Sequence, residues 1–350
     1  MSVKKVLTKI FKWNQWPLHV FYAPMAPFWL WCIIRSRAIW FFTPSNPKLT
    51  FGGMEGEPKK EMYDLLPPQF LPVTFNINPA ESFEDAKDKL CNNNISYPLV
   101  VKPEIGGQGI LFRKIDDEEQ FKNYHKKVPV EYIVQQLVNY PMEVCVFYYR
   151  YPNSTKGVIT GFLQKIPLQV TGNGKDTLYQ LIVQHPKACE RIEELRNTHG
   201  FNFDKILLPN ENYILSYAAN RHRGARLKSL KNEIDNRLVD LIDNISLSIN
   251  DFFYGRYDIM CSSVEDLKQG KNFYILEYNG CGAGPTHIYG PGYTLVKAYR
   301  ELAMHWEALY KISIYNRKHG VKCWPFLKGF NFLKEAKKHY RIMKEADKII

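Results

Sequence analysis

Gly255-Arg256-Tyr257-Asp258-Ile259-Met260 and, further on, Tyr274-Ile275-Leu276-Glu277-Tyr278-Asn279-Gly280 read as two apolar strands, one carrying an Asp and the other a Glu-x-Asn. Alternate residues of a strand point to one face, so Asp258 on one strand and Glu277 with Asn279 on the next present three hard oxygen ligands together. Oxygens of this kind suit Mg²⁺ shared with nucleotide phosphates. A hairpin whose acids face water would carry the same residues, and a second motif has to decide between the two.

That motif is Tyr97-Pro98-Leu99-Val100-Val101-Lys102-Pro103, followed by Gly106-Gly107-Gln108-Gly109 and a second apolar run from Ile110 to Ile115. It reads as strand, glycine loop, strand. Glycines let backbone N–H groups approach phosphate oxygens, and Lys102 adds a positive charge at the turn. By itself such a stretch could be only a hairpin. It lacks the Gly-Lys-Ser/Thr of a Walker loop, and no helix follows the glycines as a dinucleotide fingerprint requires. A strand lysine beside a glycine hairpin, with the Asp and Glu-x-Asn about 150 residues later, is more specific than either part.

On these motifs the chain resembles the ATP-grasp superfamily, and within it the carboxylate-amine ligases such as D-alanine-D-alanine ligase, over roughly residues 58 to 300. Leu168-Gln169-Val170-Thr171-Gly172-Asn173-Gly174-Lys175-Asp176-Thr177-Leu178 is also similar to a segment of cyanophycin-synthetase-type ligases, which leans the reading toward amide formation. The resemblance implies an α+β ATP-grasp fold, two subdomains clasping ATP, here with an aromatic, apolar N-terminal extension. It also implies ATP with two Mg²⁺ ions, Mn²⁺ being an alternative, held by Asp258, Glu277 and Asn279. Lys102 and Lys59 would meet the phosphates, with Lys60 the alternative to Lys59, and Gly106, Gly107 and Gly109 would close over them. Gln135, Gln136, Leu137 and Val138 would line the adenine, although the family often has Glu where this hinge opens with Gln. Glu143 would bind the ribose hydroxyls. Arg256 and Lys102 would be catalytic, neutralising charge on the transferring phosphoryl group.

The activity so implied is attack of a substrate carboxylate on ATP to form an acylphosphate, then displacement of phosphate by an amine. The substrates would be small-molecule or lipid-linked. Two alternatives stay open: an ATP-grasp kinase that stops at a phosphorylated small molecule, and a non-catalytic nucleotide-binding protein at a membrane. Residues 1–58 are too short and apolar for the substrate domain of the D-alanine ligases, so D-alanine is a poor guess. Arg221, Arg223 and Arg226 suggest either an anionic partner or a solvated basic loop.

Composition bounds the problem without deciding it. The 350 residues, 45% apolar and 23% charged, make a globular chain able to bury a large core. The net charge of +12 suits nucleotides, anionic substrates or an anionic membrane face. Nucleic acid is not expected, because the aromatics cluster in apolar runs instead of interleaving with Lys and Arg. Seven cysteines with no Cys-x-x-Cys point to a reduced, cytoplasmic setting, and Cys281, with no base identifiable nearby, reads as a buried thiol.

The ends differ from the middle. Val3, Val6, Leu7, Ile10 and Phe11 recur at helical spacing opposite Lys4, Lys5, Lys9 and Lys12, and Pro17 to Ile34 is apolar, aromatic and broken by prolines. It is shorter than the roughly 20 residues of a span and has basic flanks. The expectation is a segment in the interface of the inner leaflet, with a span or packing on the domain as alternatives. No cleavable signal peptide is expected. The chain thus divides into residues 1–45 at the membrane interface, a linker and pre-grasp region 46–96, an ATP-grasp domain 97–310, and a basic amphipathic tail 311–350 with its apolar stripe on Leu333, Ala336, Tyr340, Met343, Ala346 and Ile350.

Overall fold

The computed structural model describes residues 13–219, 223–249, 251–290 and 292–350. Among these the strands are β1 Thr74–Ile77, β2 Leu99–Pro103, β3 Arg113–Ile115, β4 Tyr132–Gln136, β5 Met142–Tyr149, β6 Val158–Ile166, β7 Leu168–Thr171, β8 Asn212–Ser216, β9 Arg226–Ser229, β10 Tyr254–Cys261 and β11 Phe273–Asn279. The α-helices are α1 Leu18–Tyr22, α2 Ala26–Ser36, α3 Lys59–Leu65, α4 Phe83–Asn92, α5 Glu118–Lys127, α6 Leu178–Gln184, α7 Ile192–His199, α8 Asn236–Ile249, α9 Val264–Lys268, α10 Leu295–Lys318 and α11 Phe326–Ala346. The sheets run β1-β4-β2-β3, β11-β10-β5-β6-β9 and β7-β8. The class is α+β, as the motifs implied. The chain falls into two compact units, residues 1–71, 144–163 and 229–340 forming one and residues 72–143, 164–228 and 341–350 the other.

In unit 1, β10 shows why an apolar strand can carry charge. Tyr257, Ile259 and Cys261 alternate onto one face and are fully buried, leaving Arg256 and Asp258 on the other. The N-terminal segment expected at a membrane instead packs many of its rings on this unit. Phe21 is fully buried and stacks on Tyr299 at 5.2 Å, and Trp29 lies 4.8 Å from both Phe41 and Trp306. Prolines cut the run into short helices, and no described helix is long and apolar enough to cross a membrane. The basic helical pattern of residues 3–12 lies outside the described residues.

The stretch read as a linker is also inside. Phe51 is fully buried, and Asn46 accepts from the backbone N–H of Phe253 and Tyr254 while donating to the carbonyls of Gly52 and Tyr254. Glycine is required here by space: a Cβ on Gly53 would come within 2.7 Å of Gly280. One Asn satisfying four backbone groups makes these crossing chains act as core.

In unit 2, the expected strand, glycine loop and strand become β2 and β3, paired antiparallel with Leu99 opposite Ile115. The second strand is shorter than the run from Ile110, because Leu111 turns at φ 56° and its carbonyl accepts from the Tyr124 hydroxyl at 2.9 Å. The helix expected over 116–127 is α5, capped by Asp117, whose carboxylate accepts from the N–H of Gln120. Leu168 to Leu178 folds as β7, a tight turn and the start of α6. Asn173 accepts from the N–H groups of Lys175 and Asp176, and Thr177 caps the helix in a capping box. Helices α6 and α7 close a small core with β7 and β8 around Leu178, Ile182, Leu195 and Leu207.

Candidate functional site

The antiparallel register of β10 and β11 sets Arg256 opposite Asn279 and Asp258 opposite Glu277, so four of the singled-out residues share one face. A bulge follows at once, the register shifting between Asp258 and Ile259, so that Ile259 faces Ile275 and the hydrophobic face resumes. The Arg256 guanidinium grips Asp258 bidentately, Nε to Oδ1 and Nη2 to Oδ2 at 3.0 Å each. Burial works against the charge of Arg256, and the Asp258 carboxylate more than restores it. Asn279 Nδ2 lies 3.5 Å from Asp258 Oδ2. Two carboxylates and an amide oxygen on one face are a donor set that fits a hard divalent cation.

Helix α3 is fastened to β11, the Tyr63 hydroxyl donating to the Leu276 carbonyl at 2.9 Å. Its first residue, Lys59, is buried, whereas Lys60 is exposed and pairs with Asp64. Just before it stands Glu57, which the sequence reading passed over. Burial pushes the Glu57 carboxyl up to about 7, Lys59 pulling against this and Glu277 and Glu61 adding to it. Glu57 therefore feels Lys59, Glu61 and Glu277 at this edge of unit 1. The signal that could have found Glu57 is its place two residues before Lys59 in Gly56-Glu57-Pro58-Lys59. Cys281, just past β11, is buried and its thiol is pushed well above the ordinary range by burial, as a structural cysteine should be.

In unit 2, Lys102 donates to Gln135 Oε1 at 3.2 Å, and the Gln135 amide donates to Thr74 at 2.8 Å. The side chain of Gln135 is thus built into the sheet, and Gln136, Leu137 and Val138 run off the end of β4 into an irregular stretch. Glu143 is engaged by Lys165, Nζ to Oε1 at 2.9 Å with both side chains mostly buried, a partner that lies beyond the quoted motifs. Gly107 has open space around it, and Gly109 turns at φ 74°.

The end of the chain reaches this loop. Asp347 accepts from the N–H of Leu111 and pairs with Arg113 and Arg223, all at 2.9 Å, while Arg223 donates to the Gly109 carbonyl at 3.0 Å. Burial would raise Asp347, but the arginines and the Leu111 N–H hold it below the usual range. Arg223 also pairs with Glu194. Arg223, from the cluster read either as a site for an anionic partner or as a solvated basic loop, is here a structural clamp; Asn220, Arg221 and His222 lie outside the described residues. Met343, from the apolar stripe of the tail, is buried, so this part of the tail is core.

No protein-family model matches the chain, and no curated protein matches it. Among solved structures it is similar to the bifunctional glutathione synthetase of Pasteurella multocida, with 15% identity, TM-score 0.38, and 71% of this chain and 36% of that one covered. It is similar to the VanG D-Ala:D-Ser ligase of Enterococcus faecalis, with 14% identity, TM-score 0.41 and coverage of 74% and 62%. It is also similar to the D-alanine–D-alanine ligase of Bacillus anthracis complexed with ATP, with 13% identity, TM-score 0.42 and coverage of 75% and 68%. The chain therefore spans about a third of the first of these proteins and under two thirds of the second.

Proposed function

We propose that the protein is an ATP-grasp ligase that activates a substrate carboxylate as an acylphosphate and joins it to an amine, releasing ADP and phosphate. The observation that carries this is the register of β10 and β11, which sets Asp258 against Glu277 and Arg256 against Asn279, with Lys59 and Glu57 gathered by α3 at the same edge. Asp258, Glu277 and Asn279 would hold Mg²⁺, which when bound supplies charge neutralisation at the phosphate oxygens. Arg256 holds Asp258 in position through its two hydrogen bonds. Lys59 supplies positive charge for a phosphate, and Lys102, beside the glycine loop, supplies another. Chemistry of this kind asks the protein for positioning and electrostatics more than for covalent catalysis. The exclusion of water that an acylphosphate needs would come from the loop at Gly106, Gly107 and Gly109.

The test is ADP release by full-length protein with Mg²⁺-ATP across pools of carboxylates and amines, with Glu277→Ala as control. Stimulation by a carboxylate together with an amine, absent in the variant, supports the ligase. A phosphorylated product formed without any amine would replace it with the kinase reading. ATP binding without turnover in any pool would replace both.

We also propose that the protein attaches peripherally to an anionic membrane surface, at the cytoplasmic inner face, which would bring lipid-linked substrates within reach. Support comes from the outward face of α2, where Leu30, Trp31 and Ile34 are exposed at 54%, 45% and 65%, next to Arg35 and Arg37. Phe326 and Leu327 are exposed as well, and Trp40 joins their helix to the segment through a hydrogen bond to the Phe326 carbonyl. Apolar side chains rimmed by arginine suit an anionic bilayer better than a protein partner. Flotation with phosphatidylserine vesicles that is unchanged by Trp31→Glu/Ile34→Glu would sink this assignment.

A further inference from the structure

Unit 1 holds a second convergence of ligating side chains, independent of the nucleotide reading. His287 stands in the 3₁₀ turn Thr286–Tyr289 that follows β11, while Glu301 and His305 are one turn apart on α10 and so share a face. Nε2 of His287 lies 3.2 Å from Oε1 of Glu301, and Nε2 of His305 lies 3.7 Å from the same oxygen. The three ligating atoms fall within 4.8 Å of one another, and among the described residues no other three His, Cys, Asp or Glu side chains converge so closely.

Two observations separate this cluster from an ordinary buried ion pair. First, Nε2 of His305, a fully buried residue, has no hydrogen-bond partner among the described residues. An unpaired polar atom in such a place is costly, so a group that satisfies it is expected. Second, Nδ1 of His305 lies 3.2 Å from the Tyr254 hydroxyl. An imidazole that donates Nδ1–H to such a neighbour keeps a lone pair on Nε2, and outer partners of this sort are what orient metal-bound histidines. In that tautomer the Nε2 lone pair lies 3.7 Å from the Glu301 Oε1 oxygen, an arrangement that a cation between them would make attractive.

We propose that His287, Glu301 and His305 form a Zn²⁺ site, with water in the fourth position. Zinc takes His nitrogen and carboxylate oxygen at about 2.0–2.2 Å in tetrahedral geometry, which sets neighbouring ligand atoms roughly 3.3–3.5 Å apart. The two separations to Glu301 Oε1, 3.2 and 3.7 Å, bracket that range, and the two histidine ligand atoms lie within 4.8 Å of each other. Two imidazoles with one carboxylate suit zinc, whereas Mg²⁺ prefers oxygen ligands and keeps its waters. The surroundings are tight: the Phe147 ring meets His305 edge-on at 4.5 Å, and a Cβ on Gly161 would come within 2.2 Å of His287 Nδ1. The ion would tie α10 to the turn just past β11, the strand that carries Glu277 and Asn279.

The experiment uses full-length protein without an affinity tag, stripped with a chelator and then given Zn²⁺ or Co²⁺ alone. The expected result is uptake of about one ion per chain, intense visible bands of four-coordinate Co²⁺, and a rise in melting temperature with Zn²⁺. His305→Ala and Glu301→Ala should abolish the bands. Tyr254→Phe should weaken Zn²⁺ binding by about 10–100-fold, the loss typical of an outer partner. Glu277→Ala should keep the ion, which separates this site from the nucleotide reading. Stripped wild-type protein that is folded by near-ultraviolet circular dichroism yet takes up neither metal would overturn the proposal, with no variant needing to fold. Bands that survive in His305→Ala and Glu301→Ala would overturn it equally.

Discussion

Arg256→Met removes one partner of a buried, bidentate pair and leaves Asp258, whose side chain is 6% exposed, without its guanidinium. Breaking such a pair typically costs about 3–5 kcal/mol, because the remaining charge keeps its desolvation penalty. Asn279, with Nδ2 at 3.5 Å, is placed to take up part of the load, which favours the lower figure, roughly 3 kcal/mol. For a unit of this size that lowers the melting temperature by about 6–12 °C. Differential scanning calorimetry at pH 7.5 without nucleotide measures it, with Asp258→Asn and the double variant completing a cycle. Removing the charge of Asp258 should recover most of the loss, so the double variant should be clearly more stable than Arg256→Met alone. Millimolar Mg²⁺ should also raise the melting temperature of Arg256→Met more than that of the wild type, if Asp258 is a metal ligand. A loss below about 1 kcal/mol, or no recovery in the double variant, would refute the claim that this pair accounts for the burial of Asp258.

Other outcomes follow from the same geometry. Glu57, raised to about 7, favours its neutral form in the folded state, so its contribution to stability is present below about pH 4.5 and is lost as pH rises through 7. Glu57→Gln should flatten the melting temperature between pH 5 and 8; an unchanged slope would remove Glu57 as its source. Lys59→Ala should raise the ATP KM at least tenfold while Lys60→Ala, which removes an exposed side chain whose pair with Asp64 is worth about 0–1 kcal/mol, should leave it unchanged; equal effects would contradict the burial difference. Asp347→Ala should loosen the glycine loop, read as faster amide exchange over residues 106–112, and exchange at the wild-type rate would show that the loop does not depend on the tail.

The alternation of residues within β10 and β11 was legible because it is local: period two puts Arg256 with Asp258, and Glu277 with Asn279, whatever the strands pair with. The same holds for α5, whose acidic cap and helical pattern lie within a few residues. Glu301 and His305 were equally local at i,i+4, but without His287 they were an unremarked pair on a helix. The aromatic N-terminus shows where the reading fails. Apolar rings leave water as readily for a lipid interface as for a protein core, and only the surface presented by α10 shows that Phe21 is core and Trp29, partly buried, packs against the core, while Leu30, Trp31 and Ile34 stay exposed.

The sequence by itself determined which residues share a strand face or a helix turn, and hence that an Asp, a Glu-x-Asn and a strand lysine with its glycine loop existed as sets. Tertiary structure decided the rest. It set Asp258 opposite Glu277 through a register that a bulge ends, brought Glu57 and Lys59 to that edge through α3, clamped the glycine loop with Arg223 and Asp347, and joined His287 to Glu301 and His305. The physical reason is range. Backbone sterics and side-chain periodicity act over a few residues, whereas register, burial and the pairing of buried charges depend on which distant segments exclude water together.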